Sequence, residues 1–395
     1  MAFFDNFFKI KTYPDIDTNF QFNEKTNSFN QDEISNLSSV YTSVKILSDT
    51  ISRLPVHIYN NGDNGKIKDK QHYLYDKLHY NVNPYTNSQT FFSTLELHRN
   101  LKGNGFAYIK RNKNTGEVIQ LEIINPDTFY TYDIIDNELY YIFYLDSKKK
   151  AYNSNDILHF KMLSKDGIVG INPIEALRLN ISSSHKALST IDNFYENNAT
   201  TSKALKSTIS NANQKEMGRA LEKFEKSNAG SRNAGKIIPL PPNTELQELR
   251  LNLADAEFIS TIKYNSSQIA SLYGIPPHLV GNYEASKFNN VEQMQLNFKV
   301  NTISAIARMY RQEMELKLLT ESERKEGKSI EFTLHGLVET DHKTRIEGYR
   351  TLTNIGAISP NTIAKLEGYE TFPGGDKHYI QSNLQAIEDM DNNEK

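Results

Sequence analysis

The sequence contains no cysteine and no tryptophan. Without thiols there is no disulfide, no thiolate metal site and no cysteine nucleophile. Large aromatic packing falls to 22 Tyr and 20 Phe. Long apolar runs are missing too, since none approaches the roughly 18 residues that span a bilayer. The opening MAFFDNFFKI sets Phe3, Phe4, Phe7 and Phe8 at helical spacing, but no cleavage site or extended apolar core follows. It reads as a short tail, not as a secretory signal or membrane anchor.

Catalytic signatures are equally scarce. The ten His are scattered, with no His-Glu-x-x-His pair, and Gly-x-Ser-x-Gly does not occur. His159 in ILHFKM reads as a packed sheet residue, and Asp15 and Asp17 as solvated carboxylates. The GNG at 103–105 lacks the third glycine and the preceding strand of a dinucleotide turn. No metal site and no cofactor are expected.

One stretch does resemble a phosphate loop: GSRNAGKIIPLPP, residues 230–242. Such a loop follows a strand, opens a helix and ends on a hydroxyl that holds magnesium. Here Ile237 stands in the hydroxyl position, a helical pattern (NQKEMGRALEKFEKSN) precedes the turn, and prolines follow it. Proline lacks the N–H and clashes inside a helix. The match is a basic, glycine-bearing turn, and no nucleotide chemistry is expected from Lys236.

What is present is a chain of 395 residues, 38% hydrophobic and 24% charged, with a net charge of −3. That length implies roughly two or three domains. Charge is uneven: residues 201–250 hold nine Lys or Arg against five Glu, and the tail EDMDNNEK is mostly acidic. A basic patch of this kind meets nucleic acid or an acidic partner, or is simply a solvated helix face.

Along the chain, an Asn-rich arm precedes a helix marked by Ile34, Leu37, Val40, Val44, Leu47 and Ile51, which Pro55 stops. VHIYNNGDNGKIKD reads as strand, turn and strand, and a second helix at 88–102 ends at Gly103. Short Tyr- and Ile-rich strands fill 105–160. A long helix at 173–199, the basic segment, and a helix at 254–274 ended by GIPP come next. The polar connection HLVGNYEASKFNN leads into the longest helical stretch, Val291–Leu319, which is apolar over much of its girth and must be packed on several sides. The strand SIEFTLHG and two short helices complete the chain.

This succession resembles the portal (connector) proteins of long-tailed double-stranded DNA phages. The resemblance rests on VYTSVKILSDTISRLPVHIY, NVNPYTNSQTFFSTLELHRNLKGNGFAYIKRN, DILHFKMLSKDGIVGINPIEALR and IASLYGIPPHLVGNYEASKFNNVEQMQLNF, in the family's order and spacing. It implies an α+β portal-type fold with a mixed α/β wing, helical stem, small clip and helical crown, assembled as a ring. The corresponding spans are an arm at 1–32, wing at 33–171, stem helix at 172–199, clip at 200–253, and second stem helix at 254–277. A tunnel loop at 278–290, the long helix and second wing part at 291–339, and the crown and tail at 340–395 complete the layout. The family often carries a proline near Ala305, absent here, which leaves the position of any kink open.

The resemblance further implies a homo-oligomeric ring of about twelve subunits closed by a repeated head-to-tail interface. Its place would be the capsid portal vertex of the virion, reached from the host cytoplasm during assembly. Asn282, Tyr283, Glu284, Ser286 and Lys287 would face double-stranded DNA without reading its sequence. Lys215, Arg219, Lys223, Lys226, Arg232 and Lys236 would dock the terminase large subunit, then the head-tail connector protein. Major capsid and scaffolding proteins are further implied partners. A ring-forming capsid adaptor without DNA passage, and an unrecognised nucleic-acid enzyme, are the two alternatives.

Overall fold

A computed structural model describes residues 38–62, 65–196, 203–207, 218–219, 222, 244–248, 255–282, 288–334 and 342–379. The chain divides into two units, Met1–Leu334 and His335–Lys395.

In the first unit, helix α1 (Ser38–Ser52) buries Val40, Val44, Leu47 and Ile51, the stripe that the sequence spacing predicts. Strand β1 (Val56–Gly62) follows Pro55 and pairs antiparallel with β2 (Gly65–Lys68). After the short helix α2 (Tyr75–His79), strands β3 (Asn81–Asn83) and β4 (Thr86–Asn87) form a small hairpin. It leads into helix α3 (Ser88–Lys102). Asn87 caps that helix by accepting from Thr90 N at 2.7 Å, and Gly103 ends it with φ +80°.

Strands β5 (Asn104–Arg111) and β6 (Val118–Ile124) lie beside each other in one sheet. A meander follows: β7 (Phe129–Ile135), β8 (Glu138–Leu145) and β9 (Lys148–Asn153). Asp136–Asn137 and Asp146–Ser147 make its two turns with all four φ angles positive, as the I′ hairpin turn requires. Strand β10 (Ile157–Lys161) returns to pair with β5, giving the order β10-β5-β6.

The GNG that failed as a nucleotide turn has a packing role. A Cβ on Gly105 would lie 2.7 Å from Leu95 O, and one on Gly170 would lie 2.1 Å from Gly103 O. The backbone of 103–105 is wedged between α3 and the segment leaving β10. Asn104 fastens it, donating to Gly170 O at 2.9 Å and accepting from Gly170 N at 2.7 Å. His159 is buried beside it, with Nε2 at 2.9 Å from Asn104 Oδ1 and Nδ1 at 3.0 Å from the Tyr141 hydroxyl. That oxygen is an acceptor, so Nε2 carries the proton, Nδ1 accepts from Tyr141, and the ring is neutral. Burial holds its pKa well below the ordinary histidine value.

Helices α4 (Pro173–Glu196) and α5 (Asp255–Leu272) pack together, with the hairpin of β11 (Lys203–Ser207) and β12 (Thr244–Glu248) between them in sequence. The predicted long helix is three pieces: α6 (Phe288–Asn297), a π-helical turn (Phe298–Ile303) and α7 (Ser304–Leu318). A widened turn thus interrupts the helix where no proline is present. Helix α7 buries Ala307, Tyr310, Met314 and Leu318. These residues share one stripe, so within the single chain α7 is packed on one side and the packing on several sides expected from the sequence is not seen. After α8 (Glu321–Lys325), strand β13 (Lys328–Phe332) pairs with β1, so the end of the unit closes on its beginning.

At the centre lies a buried polar knot. Glu96 and Arg99 are both buried, one turn apart on α3, with Arg99 Nε donating to Glu96 Oε2 at 2.9 Å and Nη2 to Oε1 at 2.5 Å. The Tyr310 hydroxyl donates to Glu96 Oε2 at 3.0 Å, and Asn100 Nδ2 to Oε1 at 2.9 Å. Tyr273, just past α5, donates to Asn100 O at 2.9 Å. Tyr310 also stacks on Phe160 of β10 with centroids 4.0 Å apart. Burial, then the Glu96 charge, holds its phenol protonated far above the usual range.

The second unit holds α9 (His342–Asn354) and α10 (Pro360–Glu367). Buried Asn361 closes its last loop by exchanging two 3.0 Å hydrogen bonds with the Phe372 backbone. Arg345 forks onto Glu367 at 2.7 and 3.0 Å.

Removing one partner of a buried ion pair strands the other charge, at about 3–5 kcal/mol. Glu96→Ala is therefore expected to cost about that much, read as a lowered denaturant midpoint, whereas Tyr310→Phe should cost about 1 kcal/mol. Equal midpoints for Glu96→Ala and wild type would contradict the assignment of the knot.

Candidate functional site

The α4–α5 pair, the connection after it and the start of α6 form the candidate site. The two helices pack together, and Leu177, Ile181 and Ile269 on them are buried. A polar crossing sits among them, where Asn180 Nδ2 donates to Asn265 Oδ1 at 3.3 Å.

Helix α5 ends on Gly274 at φ +67°, a left-handed conformation that costs a side-chain-bearing residue about 1–2 kcal/mol. The connection predicted as one irregular stretch from 278 to 290 is shorter than that. Pro277–Val280 forms a 3₁₀ turn, closed by Gly281 N donating to His278 O at 3.3 Å and Asn282 N to Pro277 O at 3.0 Å. At the far side, Phe288 already belongs to α6, so Asn289 and Asn290 lie inside the helix. His278 is buried in the 3₁₀ turn, and neither ring nitrogen has a hydrogen-bond partner. Burial lowers its pKa and keeps it neutral.

Of the residues predicted to face a channel, Asn282 is half-buried, and its Nδ2 donates to Ser267 Oγ of α5 at 3.1 Å. It anchors the root of the connection. Tyr283, Glu284, Ser286 and Lys287 lie outside the described residues. In the basic segment, Arg219 is helical and exposed. Lys215, Lys223, Lys226, Arg232 and Lys236 lie outside the described residues.

Sequence reading missed Thr302. From the π turn its hydroxyl donates to Gly274 O at 2.8 Å, which ties the start of the connection to the helix that resumes after it. A Cβ on Gly274 would approach that hydroxyl to 2.7 Å. The only available signal was the glycine after a helical run. Among the described residues no group of three or more His, Asp or Glu could hold a metal ion, and no helix is long and apolar enough to cross a membrane.

The model of the phage portal protein family matches residues 38–368, almost the whole described fold. The chain belongs to that family. Portal proteins are structural and not enzymatic. The portal protein of Enterobacteria phage HK97 is 24% identical over 379 residues, covering 93% of this chain and 87% of the relative. Among solved structures, a chain in the neck of an empty gene transfer agent particle, computed with C6 symmetry, superposes with a TM-score of 0.57 at 17% identity. That match covers 86% of this chain and 92% of the other. An HK97-family phage portal protein from Corynebacterium diphtheriae superposes with a TM-score of 0.56 at 10% identity, covering 79% of this chain and 97% of that one. The α+β portal-type fold expected from the sequence is the fold observed.

Gly274→Ala in this portal chain is expected to lose about 1–2 kcal/mol, from the left-handed backbone and the Thr302 contact. Adding Thr302→Ala should recover part of that loss, because the clash goes with the side chain. Strictly additive losses in denaturant unfolding would show that the two positions do not meet.

Proposed function

We propose that this portal protein closes into a ring of about twelve subunits at one capsid vertex and passes double-stranded DNA through its centre during packaging and ejection. The observation that carries this reading is the family match over residues 38–368. The neck and virion structures that share the fold support it, among them a gene transfer agent neck computed with C12 symmetry.

In this reading residues 33–171 and 291–339 build the wing, α4 and α5 the stem, and 200–253 the clip. The connection after α5 is the tunnel loop, and residues 340–395 form the crown and tail. The clip, through Lys215, Arg219, Lys223, Lys226, Arg232 and Lys236, docks the terminase large subunit and afterwards the head-tail connector protein. Major capsid and scaffolding proteins meet the wing. Assembly takes place in the host cytoplasm and the ring ends in the virion.

Electrostatics suit passage better than capture. Each phosphate neutralised by Lys or Arg adds affinity through counterion release, so a cationic bore would hold DNA in place. The chain carries a net charge of −3 and puts its cationic excess in the clip segment. Lys287 gives each subunit one cation in the loop, and Tyr283 adds a contact that does not read bases. The anchored root at Asn282 leaves Tyr283–Lys287 as the part that reaches DNA.

Replacing residues 282–287 with a Gly/Ser linker is expected to leave rings intact and to lower the yield of filled heads in an in vitro packaging assay. Wild-type filling and retention in that variant would make the connection an ordinary turn.

A further inference from the structure

Two apolar faces of the first unit are uncovered, and they differ in kind. The first is on α6 and the π turn. None of residues 291–302 is buried, although Val291, Met294, Leu296, Phe298 and Val300 are all large and apolar. Leu296 is 45% and Val300 56% exposed. With Glu292 they follow the i, i+4 row, which forms a ridge on a helix surface.

The second face is on the α4–α5 pair. Hairpin β11–β12 joins the end of α4 to the start of α5, so the helices run antiparallel. They meet at Asn180 and Asn265. One residue back along each antiparallel helix, Leu179 and Tyr264 therefore emerge on the same side of the pair. Leu179 is 78% and Tyr264 62% exposed. Ala176 and Ser183, one turn either side of Leu179, and Ser271, two turns after Tyr264, are also exposed, so small residues flank a protruding Leu–Tyr pair.

Resting on the ring reading above, we propose that the α6 ridge of one subunit seats on the α4–α5 face of the next. A ring needs a head-to-tail contact between two different patches of one chain, and the α6 ridge and the apolar α4–α5 face, with its small flanking residues, are such a pair. Charge agrees with this occupant. With Val300 set against Leu179, the eight-residue step to Glu292 spans about 12 Å and the seven-residue step from Leu179 to Lys186 about 10.5 Å. Glu292 then lies within reach of Lys186, which is exposed on the receiving side. The apolar centre with a charged pair at its rim is the usual anatomy of a protein interface.

Because all four apolar residues are exposed in the single chain, charging them should not disturb folding. Leu296→Asp/Val300→Asp removes the ridge, and Leu179→Asp/Tyr264→Asp removes its seat. Circular dichroism melting should match wild type for both. By mass photometry of the full chain, each variant should show at least a tenfold loss of rings relative to wild type. Mixed in equal amounts, the two should form a heterodimer and stop there, since one intact ridge meets one intact seat and nothing propagates. Rings from either variant at the wild-type level, or a mixture that stays monomeric, would overturn the pairing. A wild-type chain that forms no ring would overturn the ring reading itself.

Discussion

The first unit is organised around an ion pair removed from water. Glu96 and Arg99 satisfy each other on α3, and the remaining capacity of the carboxylate is taken by Tyr310 of α7 and by Asn100. Desolvating two charges costs several kcal/mol per ion, which the pair recovers only with near-ideal geometry and full hydrogen bonding. Its net contribution to stability is therefore small, but each partner is indispensable to the other. That dependence fixes α3, α7 and the end of α5 in one arrangement, because a shift of any of them would strand a buried charge or a buried hydrogen bond.

The candidate site depends on that anchoring. Tyr273, bonded to the backbone of α3, directly precedes Gly274, so the connection starts from a fixed point. Thr302 then binds Gly274 O from the π turn, and Asn282 binds α5 through Ser267. Three polar contacts thus hold the chain from Tyr273 to Asn282 against the body. In the proposed role such a base would matter, since any force from passing DNA on the segment that follows would be carried to the body through its root.

Much of the fold was legible because hydrophobic spacing is a direct consequence of burial. Val40, Val44, Leu47 and Ile51 marked α1, and the helix at 88–102 could be bounded by Gly103. Strand β9 opens on Lys148–Lys150, a basic run without the Tyr and Ile that mark its neighbours, and only its pairing with β8 makes it a strand. The π turn carries no proline or glycine, so nothing in its letters announces it. The ion pair was hidden by the habit of placing charges outside. A usable signal existed: Glu96 and Arg99 fall four and seven residues after the buried Phe92, on the core stripe of α3. The site was less legible, because irregular connections have no periodicity and their contacts, such as Thr302 with Gly274, join residues far apart in sequence.

Those contacts place the account's central claim at one structural position: the segment after Asn282 faces the axis of a ring. A single-particle cryo-electron microscopy reconstruction of the assembled full chain tests this most directly. The account predicts a closed ring whose α4–α5 helices surround a hole wide enough for duplex DNA, with residues 283–287 of every subunit lining it. A closed ring with those residues on its outer rim, or α4 and α5 remote from the hole, would contradict it.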